Sequence, residues 1–396
     1  MQILLFILAI VLFIGLVIAH EWGHYIAARK NGVDVEEFGL GIPPRAWGKK
    51  LKNGVLLSVN WLPLGGFVKL KGEHDADVRK GSFGAASLGA KSKILLAGVS
   101  INLLVGLILL TILAVSGMPK LLDKNYGAPA NQFTVASDTR VSKQEVLVGT
   151  VQAGSPAASL KLGSSDVIKT MSSSNSVRQI NSVQSLQSAT SAFAGKTVAI
   201  TYQHNSKTFT KNVKLRSRAE VKASLKTASP KGYLGVSPVQ LQIRRSTWSA
   251  PVVAVGFTGQ LCVLTAQGLW HAMAGLGSLI AGTVTGNHAA RENGQTQASS
   301  QVGGPVAIGA ILWGYSYLGI SFVLMIIAVI SLLLALMNVL PIPALDGGRL
   351  FMILVSRGIF KRPLQKATEE RAVATGMAVL LLLITLITIV DVKRFF

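Results

Sequence analysis

Residues Ile3–His24 read ILLFILAIVLFIGLVIAHEWGH. The stretch Ile3 to Ala19 carries no charge and approaches the roughly 20 residues a helix needs to cross a bilayer. It ends in His20-Glu21-Trp22-Gly23-His24. Residues four apart on a helix share a face. Two imidazoles at that spacing can hold one Zn²⁺, and a glutamate beside the first can polarise a metal-held water. The plainer reading is a pair of polar residues capping a membrane helix at headgroup level. Ionisable groups at the end of a retained span are costly without a function, which favours the metal.

The rest of the chain supports a membrane setting. Of 396 residues, 50% are hydrophobic and 14% charged, with a mean hydropathy of +0.48. Soluble domains carry about 25% charged residues. Three more apolar runs, about Ile94–Val115, Gly319–Leu340 and Val373–Val390, are of spanning length. A fifth stretch, Pro251–Gly282, contains Gln260, Gln267 and His271 with many Gly and Ala. It reads as an interfacial or exoplasmic helix pair, with a further span as the alternative. The expected fold is a polytopic α-helical membrane protein with about four transmembrane helices. No basic residue precedes the first run and it leads into charged residues, so it reads as a retained span and not a signal peptide.

Lysine and arginine number 39 against 17 acidic residues, a formal charge of +22. The basic residues flank the apolar runs, and no basic helix or aromatic-interleaved ribbon suggests nucleic-acid readout. Twelve lie between Glu21 and Lys93 and six between Arg349 and Arg371. The positive-inside rule then puts both loops in the cytoplasm and the N-terminus and the segment from Met118 to about Leu318 outside. The single cysteine, Cys262, excludes an intrachain disulfide and a cysteine zinc site.

Within the outer segment, Leu147–Arg216 reads as a small soluble domain. Val146, Val148 and Val151 mark one strand. Val198, Ile200 and Tyr202 mark another, followed by Phe209, Val213 and Leu215. Ser182–Phe193 reads as a short helix and Met171–Ser176 as a loop.

A catalytic zinc needs a third protein ligand and an open position. His74, His204, His271 and His288 are scattered. The candidate stands at the end of the third run, in Asn338-Val339-Leu340-Pro341-Ile342-Pro343-Ala344-Leu345-Asp346-Gly347-Gly348. Its prolines stop a helix and its glycines permit a tight turn beside the carboxylate. A helix end with a capping aspartate is the alternative.

HExxH closing a first span, paired with N-x-x-P-x-P-x-L-D-G-G near the end of a later one, resembles the site-2 proteases, specifically their bacterial RseP-like branch. Phe38–Pro43, Pro63–Lys69 and Gly304–Ile308 resemble further elements of that family, so the likeness runs along nearly the whole chain. The resemblance implies His20, His24 and Asp346 as zinc ligands, Glu21 as general base and Asn338 on the substrate backbone or oxyanion. Pro63–Lys69 resembles the family's membrane-reentrant β-loop. In Val55–Lys71 the alternation of Val68 and Leu70 with Lys69 and Lys71, after a Gly65-Gly66 turn, suits a β-edge. Such an edge could bind an unwound substrate through Gly65, Gly66, Phe67 and Val68; a plain cytoplasmic hairpin is the other reading. Leu147–Ala157 resembles the opening strand and G-S-P-A of a PDZ domain, with Ser165 where that family has glycine and no I-N-G turn.

The expected organisation is a membrane domain over 1–117 and an exoplasmic region over 118–250 with a PDZ-like α+β insertion at about 140–218. A connecting region over 251–318 and a second membrane domain over 319–396 follow. The function implied is Zn²⁺-dependent proteolysis of single-span membrane proteins within the bilayer of a bacterial inner membrane. Trimmed anti-sigma factors or signal-peptide remnants are the implied substrates, with peptide or substrate contact through the PDZ-like domain. A non-catalytic scaffold presenting that domain gives no reason for Glu21 or Asp346. A transporter needs repeated halves, and the sequence has none.

Overall fold

The computed structural model describes residues 2–124, 128–174, 176–204, 207–227, 229–289, 291–293 and 304–395. The chain divides into two compact units, Met1–Ile112 with Pro251–Phe396, and Leu113–Ala250. The first opens with helix α1 (Gln2–Lys30), strands β1 (Val35–Lys50) and β2 (Leu56–Leu70), and helix α2 (Leu88–Ser116). The second holds β3 (Met118–Pro119), β4 (Arg140–Val151), α3 (Pro156–Ser159), β5 (Val167–Ser173), β6 (Ser176–Gln179) and α4 (Val183–Ala192). It continues through β7 (Thr197–His204), β8 (Lys207–Lys214), α5 (Arg218–Ser224) and β9 (Val236–Arg245). The chain returns to the first unit with α6 (Ala250–Thr285), α7 (Pro305–Tyr315), α8 (Ile320–Val339), α9 (Asp346–Gly358) and α10 (Lys366–Phe395).

Among the described residues, five helices are long and apolar enough to cross a membrane: α1, α2, α6, α8 and most of α10. This is a multi-pass membrane protein with a β-sheet region. The helix pair expected over Pro251–Gly282 is one unbroken helix of 36 residues. Its only proline, Pro251, sits in the first turn, where the missing N–H costs nothing. Thr258 and Thr265 turn their hydroxyls back onto the carbonyls of Ala254 and Leu261, so these polar groups are satisfied within the helix.

The first unit packs α1 against α7 and α8 through Ala9, Leu16, Leu312, Val323, Ile327 and Ile330. Helix α7 has no side-chain cap of its own. Asp391 of α10 replaces it, accepting from the backbone N–H groups of Gly304 and Ala307 at 2.8 and 3.0 Å. Strands β1 and β2 each double back, and their pairing makes four adjacent runs. Residues 45–50 pair with 56–60, which pair with 37–40, which in turn pair with 66–69. The expected hairpin thus gains a partner that the sequence reading did not assign to a strand. Its Gly66–Leu70 run forms one margin of this sheet.

The second unit is an antiparallel sheet in the order β3-β9-β4-β5-β7-β8, with β6 beside β5. Its core contains Val146, Val148, Ile168, Met171, Leu186, Val198, Ile200, Tyr202 and Val213. The strands read at 146–151, 198–202 and 209–215 are β4, β7 and β8. The helix read at Ser182–Phe193 is α4, closed by a capping box between Ser182 and Ser185. The loop read at Met171–Ser176 is instead the end of a β5–β6 hairpin, pairing Ser173 with Ser176. Met171 is fully buried there, and burying it outweighs the weak strand preference of the serines. Strand β9 lies beyond 218 and pairs along almost all of β4.

Candidate metal centre

Helix α1 continues past its apolar run, so His20 and His24 lie one turn apart on one face. Helix α8 stops at Leu340, whose extended backbone precedes Pro341. The chain turns through Pro343 and restarts as α9 with Asp346 in its first turn, where the helix dipole favours a carboxylate. The turn demands glycine. A Cβ on Gly347 would lie 2.2 Å from the Val339 carbonyl oxygen, and one on Gly348 would lie 1.9 Å from that of Ile342.

This fold brings His20, His24 and Asp346 together from opposite ends of the sequence. The Nε2 atoms of the two histidines are 3.2 Å apart. Asp346 Oδ2 is 3.3 Å from His20 Nε2 and 3.2 Å from His24 Nε2. Tetrahedral ligands at about 2.0–2.1 Å from a zinc ion are separated by about 3.3 Å. The triangle therefore fits a single small metal ion with its fourth position open. His24 is 8% exposed, and its Nδ1 donates to the Ile94 carbonyl at 2.8 Å, which leaves Nε2 bare for a metal.

Glu21 points from the same turn toward the β-sheet. A Cβ on Gly66 would come within 2.9 Å of Glu21 Cγ and 3.3 Å of Val17. Gly66 thus lets the Gly66–Leu70 run approach the carboxylate. Gly65 beside it has a positive φ of 74°, which glycine adopts without strain. Phe67 stacks across Gly39 of the neighbouring run, and Val68 packs on the core that contains Ala28 and Leu95. Asn338 is placed differently. Its amide donates to the Leu334 carbonyl one turn back, at 3.0 Å, within its own helix.

The sequence reading missed the floor of the site. A Cβ on Gly98 of α2 would lie 2.4 Å from His24 Nε2 and 2.7 Å from His20 Nε2, and one on Gly23 would lie 2.8 Å from the Ala97 carbonyl. These paired glycines let α1 and α2 approach closely, as small residues do between membrane helices. One turn on, Asn102 is 1% exposed and its amide nitrogen is 3.2 Å from His20 Nδ1. A lone asparagine inside an apolar run was the available signal.

A charged network holds α9 from the other side. Arg349, one turn from Asp346, donates to Glu369 of α10 at 3.0 Å, to the Glu73 carbonyl, and lies over the Phe83 ring. Glu369 also accepts from the Asp75 N–H. Asp75, almost fully buried, accepts from Lys91 at 2.5 Å, Arg357 at 3.0 Å and the Leu364 N–H at 2.8 Å. Burial alone would raise the Asp75 carboxyl, but these donors outweigh it and hold it below the usual carboxylate range. A cavity of about 470 Å³ lies beside Asp346, lined also by Pro343, Arg349, Glu73, His74 and Glu370.

The profile of peptidase family M50 matches residues 8–383. The chain belongs to that family. This M50 chain is a metalloendopeptidase of the site-2 protease type, as its two motifs suggested. Three bacterial proteins named "putative zinc metalloprotease" are similar along nearly their whole length. One from Rickettsia conorii is 27% identical over 389 residues, 96% of each chain. One from Clostridium perfringens is 25% identical over 390 residues, 98% of each. One from Nostoc sp. is 26% identical over 382 residues, 94% of this chain and 92% of the relative.

Proposed function

We propose that this M50 peptidase is a Zn²⁺-dependent intramembrane endopeptidase, hydrolysing peptide bonds in or near the transmembrane segments of single-span proteins. The observation that carries the reading is the triangle of His20, His24 and Asp346 beside Glu21, built on helices of spanning length. Zn²⁺, when bound, supplies Lewis acidity that makes water a competent nucleophile near neutral pH. Glu21 would act as general base, its carboxylate taking a proton from water and passing it to the leaving amine. Gly65, Gly66, Phe67 and Val68 present a sheet margin to which an unwound substrate adds as a strand, so its amides are paired while the helix is open. Asn338 contacts the substrate backbone or the oxyanion after its amide leaves Leu334. Trp47 and Trp61, 52% and 72% exposed on this sheet, suit a reentrant element at the membrane interface.

The membrane is the bacterial inner membrane, with the loops over 21–93 and 349–371 in the cytoplasm and the β-rich unit outside, as the distribution of basic residues favours, an arrangement in which α6 stays on the outer side and does not cross. That unit is PDZ-like and acts as a bulky filter against substrates that keep large outer domains. Trimmed anti-sigma factors or signal-peptide remnants are the expected substrate classes.

The deciding experiment uses purified full-length protein in detergent with a single-span substrate. Glu21→Gln should keep its zinc and lose about 10²–10⁴-fold in cleavage rate. His24→Ala and Asp346→Ala should lose zinc as well. Undiminished cleavage by the Gln variant would remove Glu21 from the mechanism.

A further inference from the structure

The two histidines of the triangle differ in what stands behind them. His24 Nδ1 faces the Ile94 carbonyl, which can only accept, so the proton sits on Nδ1 and Nε2 is bare. His20 Nδ1 faces the side-chain amide of Asn102 on α2, with the amide nitrogen 3.2 Å away. Taken in that orientation, the amide donates to Nδ1 and forces the imidazole proton onto Nε2. Nε2 would then direct a hydrogen toward His24 Nε2 and Asp346 Oδ2, at 3.2 and 3.3 Å, and could not bind a metal. Asn102 Oδ1 is buried with no hydrogen-bond partner in that orientation, and exchanging the two atoms puts the amide nitrogen in the same place, so the tautomer and not this atom decides between the orientations.

An amide's oxygen and nitrogen are nearly the same size and exchange by a half-turn about one bond. The exchange places Oδ1 opposite His20 Nδ1. We infer that Asn102 is the positioning residue for His20: its Oδ1 accepts the Nδ1–H, fixes the tautomer with Nε2 bare, and aims that nitrogen at the metal position. His20 and His24 then have matching supports, a side-chain oxygen for one and a backbone oxygen for the other, both supplied by α2. Such supports raise the basicity of a ligand and hold its ring. Asn102 is itself fixed, because its backbone carbonyl accepts from Ser331 Oγ of α8 at 2.7 Å. That bond uses no side-chain atom of Asn102, so it survives substitution. The inference rests on the metal reading of the site and adds a residue that neither motif contains.

The test measures zinc affinity on the purified full-length protein by competition with a coloured chelator, together with the visible spectrum of the Co²⁺-loaded form. Asn102→Leu and the smaller Asn102→Ala should each bind zinc about 10–100-fold more weakly, the usual effect of removing such a support. Their Co²⁺ bands should shift. Asn102→Asp keeps an accepting oxygen at the same distance and no donor, and should bind close to the unsubstituted protein. If Asp is as weak as Leu, Asn102 acts by donating and the inference is wrong. It is equally wrong if Leu and Ala bind normally while His24→Ala does not. If His24→Ala also binds normally, the metal site itself fails, and the role of Asn102 falls with it.

Discussion

The two units of this peptidase are held together by opposite means. In Leu113–Ala250 the centre is apolar and, Asp166 apart, the charges lie toward the outside: Ile168, Met171 and Ile200 are fully buried, while Lys196, Lys207, Lys211 and Lys214 are exposed. This unit carries 18 Lys and Arg against 5 Asp and Glu, and its surface tolerates that excess because water screens it. In the membrane unit many apolar side chains face outward, and charged groups are found inside: Lys91 and Asp75 are both essentially unexposed. Where the surroundings are themselves apolar, burial of apolar surface no longer separates inside from outside. Polar contacts and small residues set the packing instead.

The comparison predicts different responses to substitution. Asp75→Ala strands Lys91 as a buried unpaired charge, takes the carboxylate from the partly exposed Arg357, and should destabilise the membrane unit by about 3–5 kcal/mol. The readout is thermal inactivation of the detergent-solubilised protein. A loss below about 1 kcal/mol would mean that water reaches the network and screens it. The counterpart in the β-rich unit is Ile200→Ala, which removes methyl groups and leaves a cavity. It should cost about 2–5 kcal/mol locally, visible as accelerated proteolysis within 113–250, with zinc content unchanged. Loss of zinc in this variant would show that the two units do not keep separate stabilities.

Gly98→Ala probes the small-residue side of the contrast. The added methyl would meet both histidine Nε2 atoms, so the two imidazoles must shift. A displacement near 1 Å should lower cleavage by about 10²-fold. Gly163→Ala, in the β-rich unit with nothing within 4 Å of its Cβ, should leave cleavage unchanged.

The smallest effect is electrostatic. Asp138 accepts from the hydroxyls and backbone N–H groups of Ser249 and Thr247, and these bonds lower its carboxyl to about 2. An unfolded aspartate titrates near 3.9. The group's contribution is therefore complete above about pH 4 and is lost as pH falls toward 2. Asp138→Asn should differ from the parent in melting temperature at pH 7 and converge with it by about pH 2. A constant difference across that range would assign the effect to lost hydrogen-bond geometry alone.

Several features were legible in the amino-acid sequence because they depend on neighbours along the chain. The spacing of His20 and His24 follows from helical periodicity, and the halt before Asp346 follows from Pro341, Pro343 and the two glycines. Helices α1, α2, α8 and α10 follow from run length. Strands β4, β7 and β8 and helix α4 follow from alternation and capping. Continuity of α6 was not legible, because Gln260, Gln267 and His271 imitate a break that the backbone does not make. Strand β9 and the doubling back of β1 were missed because their identity lies in distant partners.

The sequence by itself thus determined the chemistry available: two imidazoles, a carboxylate and an adjacent glutamate at the ends of apolar spans. Tertiary structure alone decided which residues complete it. Gly98 and Asn102 lie behind the histidines, Gly66 lies over Glu21, and Arg349 is tied to Glu369. The reason is physical. An amphipathic helix announces its inner face by its pattern of polar and apolar residues. Helices α1 and α2 are apolar all round and carry no such pattern, so which side meets which neighbour emerges only when the helices pack.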